Sequence, residues 1–500
     1  MTTGRGGMRH VELEDEATEP VPAPVPRPAA RRSRRRLTVA LASVVVLLLA
    51  VGAAAQSVVA QRERERAAAV AGQPGVASVP DSLEVRWEYE QPGWGLEEPF
   101  VVTPDGLVVE VVERPGTARV EATDAATGEE AWSADLLDLG GPSDTAWSYV
   151  EGACLVPDTA GRVVCHAQED RSSLAQEGVT PEVTTTSRVV VLDTSDGDLV
   201  TELDPLGGRG PALSVTVVGD LVVGGVLVGA VRHVGAMHLD GTPAWEHTET
   251  VTRSATEPQT DVPVRVWLDG LGDLVGVGAG TDTDTDTDTE IVLLAAEDGT
   301  EVRRVPWEDG MQATVERTGV ERLVLAHPTP VRDDTRVVLG ADPADDAVLD
   351  GAMVPVTADD GSVPGLVLSV PVDGVVRAWV PGGGWAESQL AWQAILLDGR
   401  LHLESPAGLV TLDATTGEEL WRVTPSPQGL FTDGTLLYTT RVEDGRRTLV
   451  GYLPSTGEEA RRVPLPPGVE TVQTVQGLLV GVPAPGNDDG TRQVLGPAGG

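Results

Sequence analysis

The stretch Leu412-Asp-Ala-Thr-Thr-Gly417-Glu-Glu-Leu-Trp421 spells a strand, a tight turn and a second strand in ten residues. Leu409, Val410 and Leu412 end an extended apolar run, Thr416-Gly417 supplies a turn whose glycine can take positive φ, and Leu420, Trp421 and Val423 resume the extended pattern. The same phrase stands at Thr123-Asp-Ala-Ala-Thr-Gly128-Glu-Glu-Ala-Trp132. Looser copies run from Leu192 to Thr201 around Gly197, from His238 to Trp245 around Gly241, from Leu294 to Arg303 around Gly299, and from Tyr452 to Arg461 around Gly457. A hairpin that returns every few tens of residues marks a repeat architecture.

Working outward from these hairpins delimits the units. They cover residues 99–136, 146–203, 213–249, 264–307, 392–423 and 430–463, with one or two more inside 311–390, where the pattern is least legible. Two leftovers remain. The strands near Leu478 and Arg492 have no closing hairpin, and Leu83-Glu-Val-Arg-Trp87-Glu-Tyr is a lone strand with no unit before it. A ring closed by pairing the first strand with the last explains both, whereas a linear solenoid would need a cap at each end. The predicted fold is therefore all-β, a β-propeller of about eight, alternatively seven, four-stranded blades.

Hydrophobic residues make up 41% of the 500 residues, enough for a large core, but aromatics are only 3%. Tryptophan supplies 11 of them against 4 tyrosines and 2 phenylalanines, so it has a placed, repeated job rather than general filling. The net charge of −41 argues against nucleic acid and anionic headgroups as partners. There is no lysine, and the heavy use of Ala, Val, Gly and Arg reads as GC-rich bacterial coding.

Residues 1–36 are polar, proline-rich and, at their end, basic, and they read as a disordered cytoplasmic tail. Arg31 to Arg36 abut the uncharged stretch from Leu37 to Ala60, whose length suits one transmembrane helix with the arginines held inside the cell. A cleaved signal peptide is the rival reading, because Ala53-Ala-Ala55 suits a processing enzyme and Ser33-Arg-Arg-Arg-Leu37 resembles a twin-arginine signal. Residues 61–81 read as a juxtamembrane helix followed by a short Gly- and Pro-containing tether, and residues 82–500 as the extracytoplasmic propeller.

The pattern Asp-Ala-x-Thr-Gly-x-x-x-Trp, complete at Asp124 to Trp132 and Asp413 to Trp421, resembles the repeat of the pyrroloquinoline-quinone-like β-propellers over roughly residues 82–498. The resemblance implies that each hairpin tryptophan packs against the neighbouring blade, a structural role for Trp87, Trp132, Trp245, Trp385 and Trp421 that also suits a large flat ring on an outer strand. Enzymes of this family hold calcium beside the quinone with Glu, Asn and Asp, and many carry a disulfide between adjacent cysteines. This chain has no adjacent cysteines, and its only asparagine is Asn487. No catalytic, cofactor or metal residues are therefore expected.

Three local signals remain. With Asp158 to Gly161 as a four-residue turn, Cys154 falls opposite Cys165, so a cross-strand disulfide is expected in an exported chain, with two free core thiols as the alternative. Thr281 to Glu290 places carboxylates at alternate positions, but it lacks the glycine-bounded spacing of a calcium loop and reads as a solvated hairpin. The seven histidines have no ligand spacing, and no phosphate loop or nucleophile elbow occurs. The expected function is a membrane-anchored, non-catalytic binding or scaffolding module that meets a protein or cell-wall partner in the envelope. A quinone- or metal-dependent oxidoreductase is the alternative.

Overall fold

Each repeat hairpin is closed by bonds that reach only a few residues. In the pair Gly408–Asp413 and Glu419–Val423, Asp413 Oδ1 accepts the N–H and hydroxyl of Thr415 at 3.0 and 2.6 Å and those of Thr416 at 2.9 and 3.1 Å, while Gly417 N–H donates to Asp413 O at 2.8 Å. The register then slips by one residue between Thr411 and Leu412, so Trp421 lies opposite Thr411. The same slip recurs at Ala122/Thr123, Val191/Leu192, Ala236/Met237, Leu293/Leu294 and Gly451/Tyr452.

The computed structural model describes residue 57 and residues 61–498, apart from 91–99, 140–145, 174–182, 252–262, 279–289, 308–310, 317, 319–320, 327–333, 339–341, 344–345, 372, 381–382, 388–389, 425–427, 444 and 484–490. The described strands pair into nine sheets in chain order, each a meander of inner, second, third and outer strands. The ninth combines Val469–Val475, Leu478–Pro483 and Thr491–Pro497 with the first strand of the chain, Leu83–Glu90, as its outer member. The count exceeds the expected eight, alternatively seven, blades, and of the one or two units left open in the region 311–390 there are two. That region forms two sheets, Gln312–Glu316 with Arg322–Ala326, Asp334–Val338 and Ala347–Asp350, then Ala352–Met353 with Val367–Val370, Val376–Val380 and Gly383–Glu387.

Apolar clusters join consecutive sheets around the molecule, for example Val120 and Trp132 of the first with Val163 and Cys165 of the second, and Leu449 and Val463 of the eighth with Val472 and Leu479 of the ninth. The ninth meets the first where Gln476 accepts Val102 N–H at 2.7 Å and donates to Phe100 O at 2.9 Å. The arrangement is a closed β-propeller.

Tryptophans of the outer strands lie in these seams. Trp87, Trp132, Trp245, Trp385 and Trp421 each cover the turn glycine of the next sheet, at Gly128, Gly197, Gly299, Gly417 and Gly457, and each Nε1–H donates to the carbonyl three residues before that glycine, at 2.7–3.1 Å. Where the repeat lacks tryptophan, other side chains stand in its place. Thr201 faces Gly241, Arg303 pairs with Asp346 at 2.7 Å, and Arg461 pairs with Asp81 at 2.6 Å.

The stretch read as a tether is built into the ring. Residues from Glu63 onward belong to the same compact unit as the sheets. Residues 61–70 are helical, Arg66 donates to Gly434 O and pairs with Asp398, and Val70, Val76, Ala77 and Val79 are buried. Gly75 N–H donates to Thr357 O at 2.7 Å, Thr432 N–H to Gly75 O at 2.9 Å and Ala77 N–H to Thr432 O at 3.0 Å. Glycine and small residues serve close approach here, since a Cβ at Gly75 would lie 2.4 Å from Thr357 Oγ1. The strap and the strand Val356–Asp359, which runs parallel to Gln393–Leu397, give partners to inner-strand edges that otherwise face the ring axis.

Leu37 to Ala60, Ser57 apart, falls outside the described residues, as do residues 1–36, residues 281–289 and Asn487. Among the described residues no helix is long and apolar enough to cross a membrane.

Candidate binding surface

The second sheet departs from its neighbours. Its inner, second and third strands, Ala146–Leu155, Arg162–Ser173 and Val183–Asp193, are 10, 12 and 11 residues long, whereas the outer strand Leu199–Leu203 has 5. The second and third strands pair from Arg162↔Asp193 to Ser172↔Val183, but the outer strand opposes the third only from Val189↔Leu203 to Leu192↔Leu199. In the first and third sheets the outer strand follows the third along its whole length. The excess, residues 146–150, 169–173 and 183–187, therefore projects at the end where the second strand leads to the third. The strap contacts Asp398 and Gly434, in turns from inner to second strands, which lie on the opposite face of the ring.

Cys154 and Cys165 face each other in the part of the sheet that the outer strand flanks, near the turn Asp158 to Gly161, and are joined by a disulfide, with Cα atoms 4.1 Å apart. Beyond them, Thr185 donates to Asp170 Oδ1 at 2.7 Å, Arg171 pairs with the buried Glu169 at 3.1 Å, and Arg265 from outside the sheet pairs with Glu151. Tyr149 is 54% exposed and Val183 38% exposed. His166 Nε2–H donates to Ala212 O at 2.9 Å, and burial holds this imidazole neutral by pushing its pKa down to about 4.

Arg188 separates two clefts. Its guanidinium donates to Leu136 O at 2.9 Å and to Glu202 at 2.8 Å. On one side a space of about 230 Å³ lies between Asp135 of the first sheet and Asp198 of the second. On the other, a cleft of about 370 Å³ is bounded by Ser187, Glu202, Asp204, Pro205 and Gly210. Such a surface can bind an extended or basic group. The cysteines are cross-strand partners 11 residues apart rather than adjacent, and among the described residues, which exclude Asn487, no three His, Cys, Asp or Glu side chains gather as a metal site.

The described tryptophans of the repeat thus lie in the seams, and the cysteines join the inner and second strands of the second sheet. Sequence reasoning missed the projecting edge itself, whose only trace is the unusual length of residues 146–203 beside the other units.

No protein-family model matches the chain, and no curated protein matches it. Among solved structures it is similar to BamB from Moraxella catarrhalis, at 16% identity and a TM-score of 0.34, over 83% of this chain and 99% of that one. It is also similar to the quinohemoprotein alcohol dehydrogenase ADHIIG from Pseudomonas putida HK5, at 16% identity and a TM-score of 0.32, over 81% and 72%. A third similar structure is the β-propeller domain of the Trilobed protease from Pyrococcus furiosus, at 10% identity and a TM-score of 0.25, over 64% and 95%.

Proposed function

We propose that the chain is a non-catalytic binding or scaffolding module of the cell envelope, anchored through Leu37 to Ala60, in which each of the nine sheets serves as one blade. The observation that carries this reading is the second sheet, which extends three strands past its outer strand and leaves a long exposed edge on the face away from the strap. A rigid ring with one protruding edge suits holding a partner. The acidic surface narrows that partner to a protein or a neutral or basic wall component.

Cross-linking the full chain in cells and identifying the co-purified proteins tests the reading. A partner recovered through the second sheet supports it, and recovery of none sinks it. Fractionation with N-terminal sequencing tests the anchor, because a mature chain starting near Gln56 and released from membranes would replace it with a cleaved signal. Titration with pyrroloquinoline quinone and calcium should give no visible absorption change and no dye-linked oxidation. A positive result would move the protein to the oxidoreductase reading.

A further inference from the structure

The edge from Val183 to Ser187 lacks the guards that sheet edges ordinarily carry. Alternate residues of an antiparallel strand direct their N–H and C=O groups to each side. Among the described residues, those facing away from Arg162–Ser173 meet no strand, because the outer strand turns off after Leu203 at Asp204-Pro205, where proline has no N–H to continue the ladder. Exposed strand edges are usually protected by charge. The outer strands of the other sheets follow that rule, with Glu130, Glu246, Arg304, Arg422 and Arg462 among their side chains, but Val183-Thr-Thr-Thr-Ser187 carries no charge and is rich in β-branched residues. Where the outer strand leaves, the 370 Å³ cleft opens in the line it would have followed, with the carboxylates of Glu202 and Asp204 exposed at its border.

We propose that this edge receives an extended peptide segment of a partner protein by strand addition, the segment continuing the line of Leu199–Leu203 and placing a basic side chain in the cleft beside Glu202 and Asp204. This rests on the binding-module reading and names its partner chemistry. The backbone ladder supplies affinity, and the carboxylates supply the choice of a cationic side chain. A second copy of the chain is the wrong occupant, since two molecules each of net charge −41 repel one another and the same edge offers no cation to the cleft other than Arg188, which Glu202 already holds.

The test uses the full chain in detergent and a labelled seven-residue peptide alternating threonine and valine around one central arginine, followed by fluorescence anisotropy. Its glutamate counterpart should bind at least tenfold more weakly, and a version N-methylated at alternate amides should not bind, because it cannot complete the ladder. Asp204→Asn should reduce the preference for arginine over glutamate several-fold. The double change Thr184→Lys with Thr186→Lys should weaken the arginine peptide at least tenfold while leaving the thermal midpoint and the Cys154–Cys165 bond unchanged. Equal binding of the arginine and glutamate peptides, or undiminished binding of the N-methylated one, overturns the proposal. Self-association that disappears in the double variant also overturns it, in favour of a second copy as occupant. If the wild-type chain co-purifies with a partner in cells and the double variant keeps it, strand addition fails while the binding-module reading stands. If the wild-type chain recovers no partner, that reading fails itself.

Discussion

At Gly417 two demands meet in one atom that is absent. Its φ of +75° lies in the left-handed region, and a Cβ there would stand 2.7 Å from Trp385 Cε3. Gly445 shares the first demand, with φ of +74°, and has open space around it. Gly445→Ala is therefore expected to cost about 1 kcal/mol from backbone strain alone. Gly417→Ala should cost about 2–4 kcal/mol, because overpacking against the indole adds to the strain. Urea unfolding of both variants checks this, and equal losses would mean that the tryptophan seams yield freely. Cys154 presents a different case, since its bond to Cys165 closes a short loop within one hairpin. Replacing both cysteines with serine should lower stability by about 3 kcal/mol in the loop-entropy account, and reduction of the wild type should match that loss.

At the level of elements the strap is the informative piece. It contributes no regular strand, yet it completes bonds at the inner edges of the seventh and eighth sheets, its backbone at Thr357 and Thr432 and its Gln73 side chain at Asp359. Gly75→Val would drive a side chain into Thr357 and should lift the strap. The expected result is a loss of about 1–3 kcal/mol, faster amide exchange at Thr432 and Ala77, and new protease cuts near residues 70–80. Unchanged exchange at Thr432 would show that the ring holds its inner edge without the strap. The projecting part of the second sheet contrasts with this, since its third strand keeps a free edge where the strap removes one.

At the level of the whole molecule, buried titratable groups set how the ring responds to acid. His402, enclosed between the seventh and eighth sheets with Nδ1 2.7 Å from Thr411 Oγ1, has its pKa pushed down to about 3 by burial, and His166 is pushed down to about 4. Both are neutral when folded, so below the ordinary histidine value of 6.5 the unfolded chain binds more protons, and stability falls as pH drops from there toward 4 and then 3. Each imidazole contributes on the order of 3–5 kcal/mol to that fall, His402 the more. Burial raises the pKa of Glu110, Glu316, Glu404 and Asp359, and these act in the opposite sense, losing stability as pH rises through their folded values. His402→Gln should flatten the dependence of the urea midpoint between pH 7 and pH 4, and an unchanged slope would locate the acid sensitivity elsewhere.

The sequence by itself determined the hairpins and the closure. Asp124, Asp193 and Asp413 accept bonds from residues two or three positions ahead, so the turn chemistry is complete within a window the eye can read, and the orphan strand at Leu83 has its counterpart in the strands that end the chain. That the hairpin tryptophans pack against the next unit was implied by the resemblance of the repeat, whereas their seat over the turn glycine is seen only in the folded chain. Only the tertiary structure decided how residues 311–390 divide, since Arg322 reaches Leu366 O and Val356–Asp359 pairs with the strand beginning at Gln393, contacts between residues 37 or more positions apart with no local turn to announce them. It also decided that Gly75 means close approach rather than flexibility, and that Val183 to Arg188, paired with the second strand on one side, meet no strand among the described residues on the other. A glycine or a β-branched strand reads the same in sequence whether its neighbour is solvent or another backbone, and the neighbour is supplied by chain far away.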